Sequence, residues 1–342
     1  MIQPTQERPP ASDAAGPEPS VPTARTMIVA WRPDGTVETD DVERLVKLAS
    51  DPAVRLWVDA VLPDAETVRV ISDALGLHHL IAEDIAERNQ RAKVETFDGI
   101  VHIVLFGLAY VGEVRTAEID FVLSERAVVS VHGPEWDART VAPLRMGVEP
   151  LLARGADYLL YALADAIVDG YFPVLDRLAD EIDQLQDDVM ASASDWDLQR
   201  LFVLKRELLD IRRATSPARE VFNQLTNREI GPIQEDHVVY FRDVYDHLIR
   251  VTDELDNYRE LVAGTLDIYL SIVNNNLSRI MKRLTGVTVI LAGIGAIAGI
   301  FGMSEAGAAF AGGEAVGFWL VTGATVALAA TAAVVLRRFD WI

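Results

Sequence analysis

Ser278, Met281, Leu284, Thr288, Ala292, Gly295, Gly299 and Gly302 follow one another at intervals of three or four, so on a helix they share one face. The face is small and weakly polar, whereas Val289, Ile290, Leu291, Ile294, Ile297 and Ile300 fill the others. It ends at Gly302-Met303-Ser304 and meets Glu305, the first charged residue since Arg283. The chemistry open to such a row is non-covalent. Small residues, as in the Ala292, Gly295 and Gly299 series, let helices approach closely in lipid. Repeated around a symmetry axis, the same row would line a passage for water and a hydrated ion. Two apolar spans are too few to enclose a pore, so this second use requires a ring of subunits. Composition does not choose between packing seam and passage.

Other classes of chemistry find little support. With no cysteine, the chain has no disulfide, thiolate ligand or thiol nucleophile. It lacks a phosphate-cradling glycine loop, an activated-nucleophile motif and a metalloprotease helix, so no enzymatic activity is expected. A formal charge of −21 argues against nucleic acid, whose phosphates need clustered Lys and Arg. That charge accompanies a composition that is 50% hydrophobic. The two properties are segregated, with the carboxylates spread over residues 1–270 and the uncharged runs beyond 285.

The elements that must carry the row follow from periodicity. Residues 1–25 are rich in Pro, Ala, Ser and Glu, lack the apolar core of a secretory signal, and are expected to be disordered. From Met27 to His132 the period is mostly two: "TMIVAW", "RLWVDA", "VHIVLFGLAY", "IDFVLS" and "AVVSVH" read as strands, with "SER" at 124–126 as a hairpin turn. "DDVERLVKLAS" and "AETVRVISDALG" carry helical spacing, the second closing on Gly76. Residues 26–150 are therefore expected to form a cytoplasmic α/β domain of unspecified strand order. Beyond Pro150 the pattern is helical. Leu159, Leu163, Ile167, Tyr171, Val174, Leu178, Ile182, Leu185 and Val189 form one apolar stripe. "DWDLQRLFVLKRELLDIRRATSP" is expected to start on an Asp cap and stop before Pro217. No proline occurs from Gln234 to Met303, which predicts a stalk helix approaching ~100 Å at the usual rise per residue.

A helical stalk is thus expected over 151–283, followed by membrane helices at 284–304 and 315–336, a loop at 305–314 and a basic tail at 337–342. Each apolar run is long enough to cross a hydrocarbon core. Lys282 and Arg283 precede the first run, Arg337 and Arg338 follow the second, and the loop holds Glu305 and Glu314 but no Lys or Arg. This asymmetry predicts a multi-pass protein of the cell membrane with both termini in the cytoplasm.

At these residues the chain resembles the CorA family of divalent-cation channels, within the 2-TM-GxN group. "YFRDVYDHLIRVTDELDNYRELVAGTLDIYLS" is similar to that family's stalk, and "NNNLSRIMKRLT" followed by "AGIFGMS" to its stalk-to-pore junction. "YLLYALADAIVDGYFPVLDRLADEID", "LKRELLDIRRATSPAREVFNQL", "LIAEDIAERNQRAKVETFDGIVHIVL" and the terminal "RRFDWI" extend the likeness over about residues 27–342. The resemblance implies a funnel-shaped homopentamer in the lipid bilayer, with the first membrane helix lining the pore. It also implies Mg²⁺ as both transported and regulatory ion, with other divalent ions such as Co²⁺ and Ni²⁺ as further substrates.

The family pattern is broken where it is most informative. Members carry Asn after Gly-Met, where this chain has Ser304. A ring of carboxamides can hold the hydration shell that Mg²⁺ gives up reluctantly. A shorter hydroxyl, donor as well as acceptor, leaves a wider ring with a weaker hold. Glu305 would raise the local cation concentration without discriminating among ions. Ala292 and Gly293 replace a common bulky residue and proline, Ser278 replaces an Asn, and Leu284 keeps the lower hydrophobic constriction. The regulatory carboxylates implied by the resemblance are Asp84 and Asp243, with Glu83 and Asp165 as a weaker second set. His247, four residues after Asp243, is a candidate ligand for a softer ion. The expected function is a channel or transporter for divalent cations, gated by their binding in the cytoplasm. The alternatives are a zinc-type transporter of the same superfamily and a non-conducting Mg²⁺-sensing receptor or scaffold.

Overall fold

The computed structural model of the chain describes residues 24–141, 144, 147–228, 230–302 and 314–338. Met303, Ser304 and Glu305, nearly all of the 1–25 tail and of the 305–314 loop, and the end of the basic tail lie outside the described residues. By their contacts the residues form two compact units, one of residues 1–180 and 205–259, the other of 181–204 and 260–342.

In the first unit, seven strands make one sheet: β1 (Arg25–Arg32), β2 (Gly35–Thr39), β3 (Arg55–Val61), β4 (Lys93–Phe97), β5 (Ile100–Tyr110), β6 (Val114–Leu123) and β7 (Ala127–His132). Their order is β2-β1-β3-β7-β6-β5-β4. Only β3 and β7 pair in parallel, Leu56 opposite Ala127 through Val61 opposite His132. Three helices are interleaved with the strands: α1 (Glu43–Ala49), α2 (Ala65–Leu75) and α3 (His79–Glu87). Ile71 of α2 and Ile81 and Ile85 of α3 join Val58, Ala60, Val122, Val129 and Val131 in one apolar core. Of the helices that follow the sheet, α4 (Glu149–Arg154) contacts β1 and β3, and α5 (Ala156–Asp169) contacts β3, β5, β6 and β7. With both faces covered, β7 is buried along its whole length, so the two-residue period does not appear as alternating exposure there.

Turn chemistry places several of these elements. Gly76 ends α2 in the left-handed region at φ 67°. Asp98 and Gly99, at φ 49° and 82°, join β4 to β5 as a two-residue hairpin turn of the kind Asp-Gly favours. The strands β2 and β4 are additions to the sequence reading, each short and at an edge of the sheet.

The helices that follow are α4 (Glu149–Arg154), α5, α6 (Tyr171–Ser192), α7 (Asp195–Asn227), α8 (Val238–Gly302) and α9 (Glu314–Arg338). The expected stripe from Leu159 to Val189 is buried at every position. The predicted stop before Pro217 is incorrect, because α7 runs through that proline. Leu208, Ile211, Thr215, Ala218, Phe222 and Leu225 are buried on both sides of it at spacings of three and four. That continuous packing outweighs the ~3 kcal/mol an internal proline costs. Ser194, not Asp195, caps the start of α7. Its N–H donates to Asp197 Oδ2 at 2.8 Å while the Asp197 N–H donates back to Ser194 Oγ at 3.3 Å.

At 65 residues α8 is close to the length expected of it. Phe241, Val244, Leu248, Val251 and Leu255 are buried, while Leu277, Ile280, Met281 and Leu284 are exposed by half or more. An apolar window long enough to cross a membrane lies in the Glu235–Ile300 stretch and is only 6% buried. A second such window, in Ala156–Ser192, is 56% buried, as befits a core helix.

Candidate divalent-cation sites

Among the described residues, the row on α8 is open from Ser278 to Gly299. Ser278, Met281, Leu284, Thr288, Ala292, Gly295 and Gly299 are exposed, whereas Ile290, Ile294 and Ile297 are half-buried. Ile290 and Ile294 each lie two residues from Ala292, about 200° around the helix. A Cβ added at Gly293, Gly295 or Gly299 would meet nothing within 4 Å. Thr288 turns its hydroxyl back to the Leu284 carbonyl at 2.8 Å. Gly302 closes the helix; Met303, Ser304 and Glu305 follow it outside the described residues.

One carboxylate cluster is built where α5 and α8 run side by side in the same direction. Their register is fixed at the N-terminal end by Asp157, buried in the first turn of α5. It accepts hydrogen bonds from the Gln234 backbone at 2.9 Å and side chain at 3.0 Å, and pairs with His237 Nδ1 at 2.8 Å. Tyr158 and Tyr161 continue the contact, packing against Tyr240. Two turns further along, Asp165 and Asp169, four apart on α5, meet His247 of α8. His247 Nδ1 lies 3.9 Å from Asp165 Oδ1 and 3.6 Å from Asp169 Oδ1, too far for hydrogen bonds. Both Asp165 Oδ1 and His247 Nδ1 are buried atoms without a hydrogen-bond partner.

The Asp165 carboxyl is pushed up to about 6, first by burial and then by the charge of Asp169, with Asp243 adding to it. His247 and a hydrogen bond from Tyr161 act in the opposite direction. Burial, then Asp165, also drives the Tyr161 hydroxyl strongly upward. Two carboxylates thus crowd one place, under the added charge of Asp243, with no ammonium or guanidinium among the groups acting most strongly on Asp165. A buried carboxylate oxygen and a buried ring nitrogen, both without hydrogen-bond partners, fit a divalent cation there. The structure brings together Asp165 and His247 from the sequence reading and adds Asp169, whose spacing of four from Asp165 was the available signal, while Asp243 acts on Asp165 through its charge.

Asp84 lies in a separate cluster. Midway along α3, its Oδ2 accepts from Lys93 Nζ at 2.6 Å and its Oδ1 from Gln90 at 3.2 Å. Lys93 also pairs with Glu95 at 2.7 Å. Lys93 is raised above the ordinary lysine range by these two carboxylates, against burial, which is the largest single influence and pulls it down. The buried His102 of β5 lies behind them. Glu83, one residue from Asp84, is exposed. Sequence reasoning missed Glu95 and His102, since a lone histidine inside the apolar run of β5 gives no signal of its own.

Comparison with known proteins follows the same outline. The family described as CorA-like Mg²⁺ transporter protein matches residues 53–338. The cobalt/magnesium transport protein CorA of Thermotoga maritima is 35% identical over 274 residues, 78% of each chain. A putative metal ion transporter of Bacillus subtilis, YfjQ, is 27% identical over 249 residues, 72% of this chain and 78% of its own. The complete structure of the CorA magnesium transporter from Methanocaldococcus jannaschii superposes with a TM-score of 0.79 at 23% identity. It covers 94% of this chain and 100% of that one, a likeness of fold.

Proposed function

The chain belongs to the family of CorA-like Mg²⁺ transporters, and we propose on that footing that it is a membrane channel or transporter for divalent cations. The substrates would be Mg²⁺ and related ions such as Co²⁺ or Ni²⁺. The observation that carries the reading is the open, small-residue face of α8. No part of its own chain covers that face among the described residues, and its half-buried isoleucines lie on another. Copies of the chain arranged as a homopentamer would bring five such faces to a common axis. Leu284 would then be the hydrophobic constriction that gates by dewetting, with Thr288, Ala292, Gly295 and Gly299 above it. Gly302, Met303, Ser304 and Glu305 would form the outer mouth, and Ser278 and Met281 the inner one. Both termini would lie in the cytoplasm.

Regulation would reside in the carboxylates of the first unit. Asp165 and Asp243, together with Asp169, would hold a regulatory Mg²⁺, which relieves their mutual repulsion. Asp84, with Glu83, would add a contact between neighbouring copies. The Ser304 substitution supports one alternative, a receptor that senses Mg²⁺ without conducting it.

Flux separates these readings. Purified protein in liposomes holding a Mg²⁺-sensitive dye is expected to admit Mg²⁺ under an inside-negative potential, at a rate above that of protein-free liposomes. Silence from the native protein together with flux from Ser304→Asn would transfer the assignment to the receptor.

A further inference from the structure

His102 is fully buried on β5, and its Nε2 lies 2.8 Å from Oδ1 of the equally buried Asp120 on β6. A carboxylate accepts, so Nε2 carries the proton and Nδ1 presents its lone pair. That lone pair has no hydrogen-bond partner although the atom is buried. It points toward Asp84, whose Oδ2 is 3.9 Å away. Glu95 sits directly opposite His102 in the β4–β5 pairing, hence on the same face of the sheet. One ligand atom from each of Asp84, Glu95 and His102 lies within 4.8 Å of the others.

This arrangement has the parts of a metal centre. Three donors converge from α3, β4 and β5, and the histidine is oriented through its other nitrogen by a buried carboxylate. Tetrahedral coordination places ligand atoms about 3.3 Å apart, so the three need a small contraction around an ion. The Lys93 ammonium already lies between the two carboxylates, 2.6 Å from Asp84 and 2.7 Å from Glu95. It sits on a flexible stem and is partly exposed, as are Asp84 and Glu95, so it can leave toward solvent and an ion can enter from there. An imidazole with two carboxylates favours a first-row transition ion over Mg²⁺, which prefers oxygen and keeps its waters.

We propose that Asp84, Glu95 and His102 form a site within one chain for a borderline-soft divalent cation of the Zn²⁺ or Co²⁺ type, with the Lys93 ammonium as its resident competitor. Binding there does not depend on transport. The site shares only Asp84 with the regulatory set described above.

Co²⁺ is the probe, titrated into the full-length protein in detergent and followed by its visible absorption and by equilibrium dialysis. The background variant Asp165→Asn/Asp169→Asn/Asp243→Asn/His247→Ala removes the other cluster. In that background Lys93→Ala is expected to tighten Co²⁺ at least tenfold, and Glu95→Gln to weaken it at least tenfold. Both positions are partly exposed, which keeps the test sound if His102→Phe fails to fold. Equal affinity for the background protein and its Lys93→Ala and Glu95→Gln forms would overturn the proposal, whatever the liposomes show. Flux lost with this Co²⁺ pattern intact would instead overturn the transport reading alone.

Discussion

The cluster on α3, β4 and β5 and the cluster on α5 and α8 each bring two carboxylates within reach of one histidine, but they are neutralised differently. In the first, the Lys93 ammonium pairs with both acids. In the second, the basic group facing Asp165 among the described residues is His247, at 3.9 Å, and Tyr161 donates a hydrogen bond to it. The consequence appears at Asp165, pushed up to about 6 by burial and by its acidic neighbours. A carboxyl whose folded value exceeds its unfolded one gives its full stability below the unfolded value of 3.8 and loses it as pH rises through about 6. At neutral pH the second cluster therefore carries an uncompensated repulsion that a divalent ion would remove, whereas the first must exchange one cation for another. Equal numbers of acids thus differ in their demand for an ion according to whether a lysine is within reach.

The sharpest way to break this contrast is to neutralise the second cluster. Asp165→Asn with Asp169→Asn is expected to raise at least tenfold the Mg²⁺ concentration that half-protects α8 from proteolysis. The same pair should raise the unfolding temperature in EDTA at pH 7.5, because the repulsion has gone. Unchanged protection would remove these residues from ion binding, and a lowered unfolding temperature would contradict the repulsion itself.

A smaller effect follows from protons competing with the ion. Lowering the pH from about 7.5 to 5.5 crosses the raised Asp165 value and should weaken Mg²⁺ protection by about fourfold. Asp165→Asn should flatten that dependence, and a persisting slope would assign the titration to another group. The smallest expected change comes from His247→Ala, measured by equilibrium dialysis in a Lys93-intact protein. Co²⁺ binding should fall a few-fold while Mg²⁺ binding stays within about twofold, since imidazole contributes chiefly to softer ions. Equal losses for both ions would make His247 a packing residue against Phe172, on which its ring rests edge-on.

Parts of the molecule were legible before any coordinates. The stripe from Leu159 to Val189 and the course of α8 follow from spacings of three and four, and Gly76 from the need for a left-handed residue at a helix end. Local rules failed where distant packing outvoted them. Pro217 reads as a stop, yet its helix continues because buried neighbours on both sides hold it in place. The strand β4 escaped notice although Asp98-Gly99 beside it is a strong hairpin signal. Asp165 and Asp243 were legible as candidate site residues only through resemblance, Asp169 only through its spacing of four from Asp165, and Glu95 and His102 carried no local signal.

The sequence alone determined that a long proline-free helix ends in an uncharged segment with one small-residue face, because periodicity and charge segregation are properties of neighbours along the chain. It also placed Asp165 four residues before Asp169 and Asp243 four before His247, which one helical turn converts into shared faces. Only the tertiary structure decided that Asp165 and Asp169 meet His247, that Lys93 occupies the space between Asp84 and Glu95, and that Asp120 turns the bare nitrogen of His102 toward them. Those outcomes depend on strand order and helix register, which bring together residues tens of positions apart and which no local pattern encodes.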